Sequence, residues 1–519
     1  MNCKAFYKYL AYNNADLFTL VLLPGEGKYP TVIYRNPYVD MEEHITEEEI
    51  IERRTKEFVY WLDGGYAVVM QHCRGRGKST GECIPYINER EDGLFLQGWI
   101  REQEFYNGEL YLTGQSYLSS VHFVTAPFAD DIKGAVLEIQ DCERYNPNYR
   151  NGFYKIGLHG DWYVGMYKRK SIPKKSYTTD SFKMLPLIDF SKTVFGEAAE
   201  DFDEILRHPD KNDAFWSTRF GGVEAHDAIK NAGIPILLLT GFYDIYTGGV
   251  FDMWRGLDEK TRDMCALAVH PFDHSGLGDN QPINFENGDV AKEFDNYRVR
   301  WMDSVRGKCE PPFERGKVTY YKLFGEKWCT DDFFDAGETK KFSLGQGSVT
   351  YKYNPFAPAS FKGGLSTNFN GNAWQDKPNS RYDIISVFTP EFDEDTYIKG
   401  KMTAELKVSS DCEDTCFYLR VSICKEEGYY GLRDDINQIS NFDAKYVPGD
   451  ELVMDFSFDE HAFVVKKGEK LRIDISSSAY PHYVPHTNQR GLYCEQTTAK
   501  VATNTVMLED SYIELPIYR

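Results

Sequence analysis

The stretch GELYLTGQSYLSSVHFVTAPF, residues 108–128, decides the fold. An apolar run ends at Gly114, a short turn carries Ser116, and a segment compatible with a helix begins directly after it. A strand, a tight turn bearing a serine and a helix are typical of a nucleophile elbow, in which a strained backbone holds the serine hydroxyl above a sheet edge. A small residue such as Gly114 is needed where the strand and the helix come close. The pattern therefore predicts Ser116 as a candidate nucleophile.

A second serine, Ser79, fits a nucleophile pattern more literally. It lies in GKSTG (77–81), which has the form G-x-S-x-G. However, the preceding strand has already ended, and Pro85 argues against an immediate helix. The segment also lacks the first glycine of a phosphate-binding loop, because His72 occupies that position. We interpret Ser79 as a loop serine.

Short apolar runs alternate with helical patterns over about the first 310 residues, which is typical of a mostly parallel sheet buried on both faces. One helical pattern is ITEEEIIERRTKEFVYWLDGG (45–65), and another has Phe294, Tyr297 and Trp301 on one face. The strand candidates are TVIYRNPY (31–38), YAVVMQHC (66–73), GELYLTGQ (108–115), GAVLEIQ (134–140), PILLLTGFYD (235–244) and CALAVHPFDH (265–274).

The distribution of these patterns predicts three structural units. About ninety residues separate GAVLEIQ from PILLLTGFYD, far more than a crossover needs, and SFKMLPLIDF and AEDFDEILRHPD within them have helical character. From KVTYYKLF (317–324) onward, β-rich runs separated by Gly, Asp, Asn and Pro predict an all-β sandwich, a jelly roll. We therefore expect an α/β core in two parts (1–140 and 234–314), an inserted helical cap (141–233) and a β-sandwich domain (315–519).

A serine hydroxyl needs a base, and the base needs an acid that orients it. In sheets that carry a nucleophile elbow, these groups follow in the order Ser, Asp or Glu, then His. Asp244 comes just past the end of one predicted strand and His274 just past the end of the next. Both would meet Ser116 at the sheet edge where open α/β sheets bind ligands.

Other acids and bases lie close by in the sequence. Asp273 adjoins His274, and a sequence neighbour cannot easily reach the far nitrogen of that imidazole. Asp252 is expected on the helix that follows Asp244. His270 and His274 have a zinc-like spacing, but Pro271 and the lack of a nearby glutamate ligand argue against a metal helix. We interpret His270 as structural.

The composition excludes several classes of protein. The 519-residue chain has a formal net charge of −21, a field that repels nucleic acid and anionic membranes. No stretch approaches the ~18 apolar residues that span a membrane, and the start MNCKAFYKYLAYNN lacks the features of a secretory signal. The eleven cysteines are scattered and complete no zinc site, so we expect reduced thiols, a cytoplasmic location and no metal or organic cofactor.

Together these segments resemble the cocaine esterase and X-Pro dipeptidyl-peptidase family of serine hydrolases. TVIYRNPY is similar to the family's r-x-P-Y segment, and MQHCRGRGKSTGE to its q-D-x-R-G-x-G-x-S-x-G segment. GQSYLS resembles G-x-S-Y-x-G, GFYD resembles G-w-Y-D, and HPFDH resembles g-P-w-x-H. LRIDISSSAYPHY resembles a strand of the family's C-terminal domain. The resemblance spans nearly the whole chain in the family's order.

The resemblance implies an α/β-hydrolase core, a helical cap and a jelly-roll domain. It implies Ser116 as the nucleophile, His274 as the base and Asp244 as its partner. It also implies that Tyr38 donates to the oxyanion beside the backbone N–H of Tyr117. That role suits a phenol, which stays protonated near neutral pH and can donate to a developing alkoxide.

The chain departs from the family's pattern at several positions. The family's aspartate in the Arg-Gly-rich segment is His72 here, which affects any ion pair with Arg74 or Arg76. The family's glycine after the elbow is Ser119. Relatives that cleave α-amino-acid esters carry carboxylates just after the triad aspartate, whereas residues 246–247 are Tyr and Thr here. This lowers the expectation of an α-amino substrate.

We therefore predict a serine hydrolase that cleaves an ester or amide of a small molecule through an acyl-enzyme. Aromatic residues in the cap and beside Asp244 predict an apolar or aromatic substrate pocket that includes Trp162, Phe242 and Tyr246.

Two alternatives stay open. An X-Pro aminopeptidase would need an acidic anchor for the substrate's amino terminus, which Asp141, Glu143 or Asp161 could supply. A sugar-binding protein with a vestigial hydrolase core would use the β-sandwich. The sequence leaves homo-oligomerisation undecided.

Overall fold

The structure is a computed structural model that describes residues 3–166, 179–219, 228–276, 281–335, 337–364 and 371–518. The strands of its first two thirds are β1 (Lys4–Tyr12), β2 (Ala15–Leu23), β3 (Tyr29–Asn36), β4 (Ala67–His72), β5 (Tyr106–Gln115), β6 (Ile132–Glu138), β7 (Tyr149–Arg150), β8 (Phe153–Tyr154), β9 (Ile236–Tyr243), β10 (Ala266–Asp273), β11 (Val318–Lys322) and β12 (Lys327–Asp331).

Ten of these strands form one large sheet within the described part of the chain. Their order is β1-β2-β4-β3-β5-β6-β9-β10-β11-β12. The pairs from β4 through β3 to β11 are parallel, whereas β1, β2 and β12 run antiparallel to their neighbours. Every residue of β9 and β10 is buried, as expected for central strands covered by helices on both faces. The carboxyl ends of β5, β9 and β10 therefore lie along one edge of the sheet.

Helices connect these strands and form much of the cap. The first helix begins with a capping box, in which the Thr46 hydroxyl accepts from Glu49 N and the Glu49 carboxylate accepts from Thr46 N. Within the described residues, no helix is long and apolar enough to cross a membrane. The α-helices are α1 (Glu47–Glu57), α2 (Val59–Asp63), α3 (Glu89–Arg101), α4 (Tyr117–Phe123), α5 (Tyr145–Asn148), α6 (Asp161–Met166), α7 (Phe190–Phe195), α8 (Glu200–Arg207), α9 (Ala214–Arg219), α10 (Ala228–Ala232), α11 (Thr247–Arg255), α12 (Glu259–Arg262), α13 (Val290–Glu293) and α14 (Tyr297–Val305).

The C-terminal part is an antiparallel β-sandwich. One sheet has the order β21-β18-β24-β17-β22, with β13 and β14 also paired to β24, and the other has the order β15-β20-β19-β23-β16. Their facing apolar residues, such as Leu406, Ile513, Leu419 and Ile473, share one core. The strands are β13 (Glu338–Ser343), β14 (Ser348–Tyr353), β15 (Trp374–Gln375), β16 (Ile385–Phe388), β17 (Thr396–Gly400), β18 (Thr403–Ser410), β19 (Cys416–Lys425), β20 (Gly428–Gln438), β21 (Leu452–Ser457), β22 (His461–Val465), β23 (Leu471–Ser476) and β24 (Ala502–Tyr518).

The described cap, α5 to α10 with the β7–β8 hairpin, rests on this sandwich. Tyr149 and Phe202 of the cap belong to the same buried cluster as Tyr418 and Tyr483 of the sandwich. Arg150 adds an ionic link, because its guanidinium lies 2.7 Å from Asp435 and 2.8 Å from Asp459. The sandwich therefore supports the cap above the sheet edge.

The α/β-hydrolase core, the cap and the jelly roll predicted from the sequence are confirmed, but several elements differ. The β1–β2 hairpin was not predicted. The segment KVTYYKLF was expected in the sandwich, and this is wrong, because β11 pairs in parallel with β10 in the large sheet. SFKMLPLIDF was expected to be helical, yet it holds short 3₁₀ turns, and only its final Phe190 belongs to a helix. Pro186 within it interrupts any continuous helix.

Candidate active site

Ser116 lies at a sharp turn between β5 and α4. Its backbone has φ 56° and ψ −131°, a conformation that costs a residue with a side chain free energy and that occurs mainly at functional sites. The Ser116 N–H donates to Glu138 O at 2.9 Å and so fixes the turn to the neighbouring strand. A Cβ atom at Gly114 would lie 2.3 Å from Leu118 O, so the crossing of strand and helix requires glycine there. The predicted strand, sharp turn and helix around Ser116 are present, and the role of Ser116 as a nucleophile stays a prediction.

The serine that replaces the family's glycine, Ser119, stabilises this turn. Its side chain is buried and donates to Gly114 O at 2.7 Å, and it accepts from Glu138 N at 3.0 Å. Ser119 therefore links β5 to β6 directly beneath the elbow. The departure from the family's pattern adds hydrogen bonds and does not block the turn.

The structure brings Ser116, His274 and Asp244 together. His274 Nε2 lies 2.9 Å from Ser116 Oγ, and His274 Nδ1 lies 2.7 Å from Asp244 Oδ1. Asp244 is fully buried, and its second carboxylate oxygen accepts from Thr240 Oγ1 at 2.9 Å. An acceptor at Nδ1 places the imidazole proton there and leaves Nε2 free to accept the serine proton.

The competing acids and base have other contacts. Asp273 accepts from the backbone N–H of Ser275 and from the side chain of Gln281. Asp252 is exposed and lies 3.5 Å from Lys401. His270 is buried, its Nδ1 accepts from Phe272 N, and burial lowers its pKa to about 4. None of these groups contacts Ser116.

Tyr38 and the start of α4 face the same serine hydroxyl. Tyr38 lines the cavity that contains Ser116, and the residue as a whole is 42% exposed. Its phenol oxygen accepts from the indole N–H of Trp162 at 3.1 Å, and Ser116 lies in the same cavity wall. Loss of water around the phenol raises the pKa of Tyr38, so the hydroxyl keeps its proton. The Tyr117 N–H belongs to the first turn of α4 and has no intrahelical acceptor.

The Arg-Gly-rich segment holds the Tyr38 loop in place. Arg76 donates to Pro37 O at 2.7 Å, to Asp40 at 2.8 Å and to Met166 O in the cap at 3.1 Å. Asn36 Oδ1 accepts from Tyr38 N at 2.8 Å. The arginine thus connects the Tyr38 loop with the cap.

His72 and its neighbours in this segment make separate contacts. His72 Nε2 pairs with the buried Glu42 at 2.9 Å, and its Nδ1 accepts from Lys78 N. Arg74 pairs instead with Asp92. Ser79 Oγ donates to His72 O and accepts from the N–H of Phe18 on β2, so Ser79 is a buried loop serine with structural contacts.

A cavity of about 480 Å³ opens over Ser116 and His274. Trp162 and Tyr246 lie in its wall, as predicted from the sequence, and the Tyr246 ring centroid is 5.7 Å from that of His274. The prediction that Phe242 lines the pocket is wrong. Phe242 is 0% exposed and packs against Phe334 and His461, because both faces of β9 are covered. The full wall comprises Tyr34, Asn36, Tyr38, Gln115, Ser116, Leu118, Ile139, Leu158, His159, Trp162, Ile245, Tyr246, His274 and Ser275.

Sequence reasoning missed nine of these fourteen wall residues, among them Asn36, Ile139 and His159. Asn36 is in the RNPY motif, so its closeness to Tyr38 could have indicated it. Ile139 follows the end of β6, and its φ of 47° is unusual for a β-branched residue. His159 follows no local pattern that points to a cavity.

The wall contains no Asp or Glu among the described residues. Asp141 is fully buried outside the wall, and burial raises its pKa to about 7. Glu143 lies 3.4 Å from Lys211 and is also outside the wall. The side chain of Asp161, the third acid considered for a substrate amine, lies outside the described residues. In addition, no His, Cys, Asp and Glu side chains of the described residues cluster as a metal site.

A second large cavity, of about 510 Å³, lies where core, cap and sandwich meet. It includes Arg150, Asp435 and Asp459, and none of Ser116, Asp244 and His274 lies in its wall. Ile245, the residue after Asp244, is common to both cavities.

The mixed sheet, the serine elbow at its edge and the inserted cap define an α/β-hydrolase. The sequence matches the X-Pro dipeptidyl-peptidase (S15) family over residues 14–276 and the X-Pro dipeptidyl-peptidase C-terminal non-catalytic domain over residues 314–513. The chain belongs to the X-Pro dipeptidyl-peptidase (S15) family and is a serine hydrolase of the esterase and aminopeptidase class.

Individual relatives cover nearly the whole chain. Cocaine esterase of Rhodococcus sp. (strain MB1 Bresler) is 21% identical over 563 aligned positions, which cover 95% of each protein. The structure of an α-amino acid ester hydrolase has a TM-score of 0.82 and 17% identity, covering 99% of this chain and 97% of that one. An aminopeptidase from the marine sediment archaeon Thaumarchaeota archaeon has a TM-score of 0.83 and 16% identity, covering 100% and 97%. The structural likeness extends through core, cap and sandwich.

Proposed function

We propose that this protein is a carboxylesterase-type serine hydrolase in which Ser116, His274 and Asp244 form the catalytic triad. One observation carries the proposal, namely the continuous hydrogen-bond chain from Ser116 Oγ through both ring nitrogens of His274 to the buried Asp244 carboxylate. That arrangement is what an alkyl hydroxyl needs to act as a nucleophile near neutral pH.

The reaction proceeds through an acyl-enzyme. His274 Nε2 takes the proton from Ser116 Oγ as the oxygen attacks the ester carbonyl, and Asp244 stabilises the imidazolium that forms. The oxyanion accepts hydrogen bonds from the Tyr38 hydroxyl and the Tyr117 N–H. His274 then protonates the leaving alcohol, and a water molecule, deprotonated by the same nitrogen, releases the acid.

The substrate is a small ester without a formal charge near the scissile bond. The described wall has apolar and aromatic groups such as Leu118, Ile139 and Trp162, and it offers no carboxylate to a substrate amine. Burial of an unpaired ammonium group in such a cavity would cost several kcal/mol. An X-Pro dipeptidyl aminopeptidase is the second candidate, favoured by the family match over residues 14–276.

Two substrates and two serine variants test this proposal. We expect turnover of p-nitrophenyl butyrate to exceed that of a glycyl-proline p-nitroanilide by several orders of magnitude. Fluorophosphonate labelling should disappear in Ser116→Ala and persist in Ser79→Ala, whose hydroxyl has structural contacts. Persistent labelling of Ser116→Ala would exclude Ser116 as the nucleophile, whereas no labelling of the wild-type protein would return the sugar-binding alternative to consideration. A preference for the dipeptide substrate would favour the aminopeptidase.

We also propose a cytoplasmic location and a small-molecule partner for this protein. No disulfide joins the described cysteines, which supports a reducing, cytoplasmic environment. The acidic net charge of −21 supports a small-molecule partner rather than nucleic acid or an anionic membrane.

A further inference from the structure

The polar side chains of the catalytic cavity differ in whether they already have a hydrogen-bond partner within the protein. Asn36 Oδ1 accepts from Tyr38 N, and Ser275 Oγ donates to Asp273. His274 bonds both other members of the proposed triad. His159 lines the same wall, is only 4% exposed, and makes no side-chain hydrogen bond within the described part of the chain. It is a buried polar side chain whose function the proposed triad does not explain.

The position of the His159 ring is fixed by aromatic packing. Its centroid lies 4.9 Å from the Trp162 ring and 6.4 Å from the Tyr163 ring. Nδ1 is completely enclosed and has no hydrogen-bond partner among the described residues, whereas Nε2 is not enclosed in this way. Because His159 belongs to the cavity wall, Nε2 is the ring nitrogen that a bound molecule can reach.

The surroundings keep this imidazole neutral. Burial, together with the nearby cations Arg144 and Lys155, lowers the pKa of His159 to about 3. A neutral imidazole carries one N–H, and a buried N–H without an acceptor is rarer and costlier than an unused acceptor. We therefore assign the proton to Nε2, where it faces the cavity as a donor.

We propose that His159 is a specificity-determining residue that donates a hydrogen bond from Nε2 to an uncharged oxygen of the substrate, distant from the scissile carbonyl. The oxygen is an ether, ketone or second ester oxygen in the acyl or the alcohol part. This oxygen is distant from the scissile carbonyl because Trp162 lies between His159 and the proposed oxyanion site. Trp162 contacts the His159 ring on one side and donates to the Tyr38 hydroxyl on the other. This inference rests on the proposed function and refines its substrate class.

Matched substrate pairs that exchange one methylene group for oxygen test the proposal. On the acyl side, p-nitrophenyl pentanoate is compared with the 3-methoxypropanoate, and the hexanoate with the 4-methoxybutanoate. On the alcohol side, butyl butanoate is compared with 2-methoxyethyl butanoate. The two members of each pair have equal numbers of non-hydrogen atoms. The ratio of kcat/KM for the oxygenated substrate to kcat/KM for the alkyl substrate therefore reports on the oxygen. A change of this ratio between variants measures the contribution of His159.

His159→Phe keeps a ring against Trp162 and removes the donor, whereas His159→Gln keeps a donor and removes the ring. For at least one pair, we expect His159→Phe to lower the oxygenated-to-alkyl ratio about 3- to 10-fold, mainly through KM, as loss of one neutral hydrogen bond predicts. His159→Gln should retain much of the preference. Ratios within twofold of wild type for His159→Phe in every pair would overturn the proposal.

Two further measurements separate this role from others. Because the ring stays neutral, the wild-type preference should be constant between pH 5.5 and 8.5, and a change of more than threefold would contradict a neutral donor. Fluorophosphonate titration of each variant counts folded, active molecules, so a folding defect does not imitate a specificity change. Failure of the proposed function would appear separately, as turnover that persists in Ser116→Ala.

Discussion

The indole N–H of Trp162 donates a hydrogen bond of 3.1 Å to the phenol oxygen of Tyr38. Trp162 belongs to the cap and Tyr38 to the core, so one contact connects the two across the cavity. Because the phenol oxygen accepts from the indole, its own proton is directed elsewhere, and Ser116 lies in the same cavity wall. The cap therefore helps to orient the proposed oxyanion donor.

Removal of that donor is the first prediction. Tyr38→Phe should lower kcat for p-nitrophenyl butyrate about 10²- to 10³-fold with little change in KM, because the lost bond strengthens only in the transition state. Trp162→Phe, which keeps an aromatic ring but loses the indole N–H together with part of the ring system, should lower kcat roughly tenfold. Tyr9→Phe is a matched control, since Tyr9 lies on the exposed strand β1, donates to Glu47 at the start of α1 and is not in the cavity wall. An unaffected kcat in Tyr38→Phe would exclude this residue as an oxyanion donor.

The acid of the proposed triad provides the second prediction. Asp244→Asn replaces the acceptor of the His274 Nδ1 proton and should reduce kcat about 10⁴-fold without unfolding the protein. The matched change Asp252→Asn, on an exposed carboxylate, should leave activity within twofold. Steady-state kinetics on both variants decide the assignment, and activity above a tenth of wild type in Asp244→Asn would refute it.

The strained turn gives the third prediction. Only glycine adopts φ 56° with ψ −131° at little cost, so Ser116→Gly should be more stable than Ser116→Ala. The difference should be about 1 kcal/mol in urea unfolding, although glycine adds entropy to the unfolded chain. Both variants should be inactive. Equal stability of the two would mean that the turn stores little strain.

Acid sensitivity is the fourth prediction. Burial lowers the pKa of His122 to about 3, with Arg35 contributing, and burial lowers that of His270 to about 4. Below pH 6.5 the unfolded chain binds protons that the folded protein excludes, so stability present above that pH is lost as the pH falls toward 4. Each such histidine should lower the free energy of unfolding by about 1.4 kcal/mol per pH unit as the pH falls from 6.5 toward 4. His270→Gln should reduce the slope of unfolding free energy against pH by that amount, and an unchanged slope would contradict the assignment.

The ionic link between cap and sandwich gives the fifth prediction. Arg150→Met leaves the Asp435 and Asp459 carboxylates without their shared cation, which should cost about 3–5 kcal/mol. Additional Asp435→Asn and Asp459→Asn changes remove the uncompensated charges and should restore part of the loss. Thermal unfolding measures the stability of Arg150→Met and of the triple variant. If the triple variant is no more stable than Arg150→Met, the uncompensated charges are not the cause of the lost stability.

The sequence predicted the core strands and the residues at their ends well, because those features are local. Apolar runs specify buried strands, and Asp244 and His274 follow two of them directly. Side-chain direction was not predictable in the same way. Phe242 lies in a strand with both faces buried, so no alternation of polar and apolar residues indicates which face it covers. His159 reaches the cavity only through tertiary packing in the cap.

Strand partners were also hidden from the sequence. The β-rich composition of KVTYYKLF fits a sandwich as well as a sheet edge, and only its pairing with β10 distinguishes the two. Likewise, the Glu42 that pairs with His72 is thirty positions away and carries no motif. Such long-range pairs depend on how the whole chain folds.

The pairing of β11 with β10 limits how the protein can be divided. Val318 to Tyr320 lie beside Leu267 to Val269, so a truncation at residue 314 would strip a strand from the large sheet and leave backbone groups of β10 unpaired. The exposed edge would invite aggregation of the shortened protein. A shortened protein that contains the catalytic half alone must therefore extend to at least Asp331, the last residue of β12, which is the edge strand that pairs with β11.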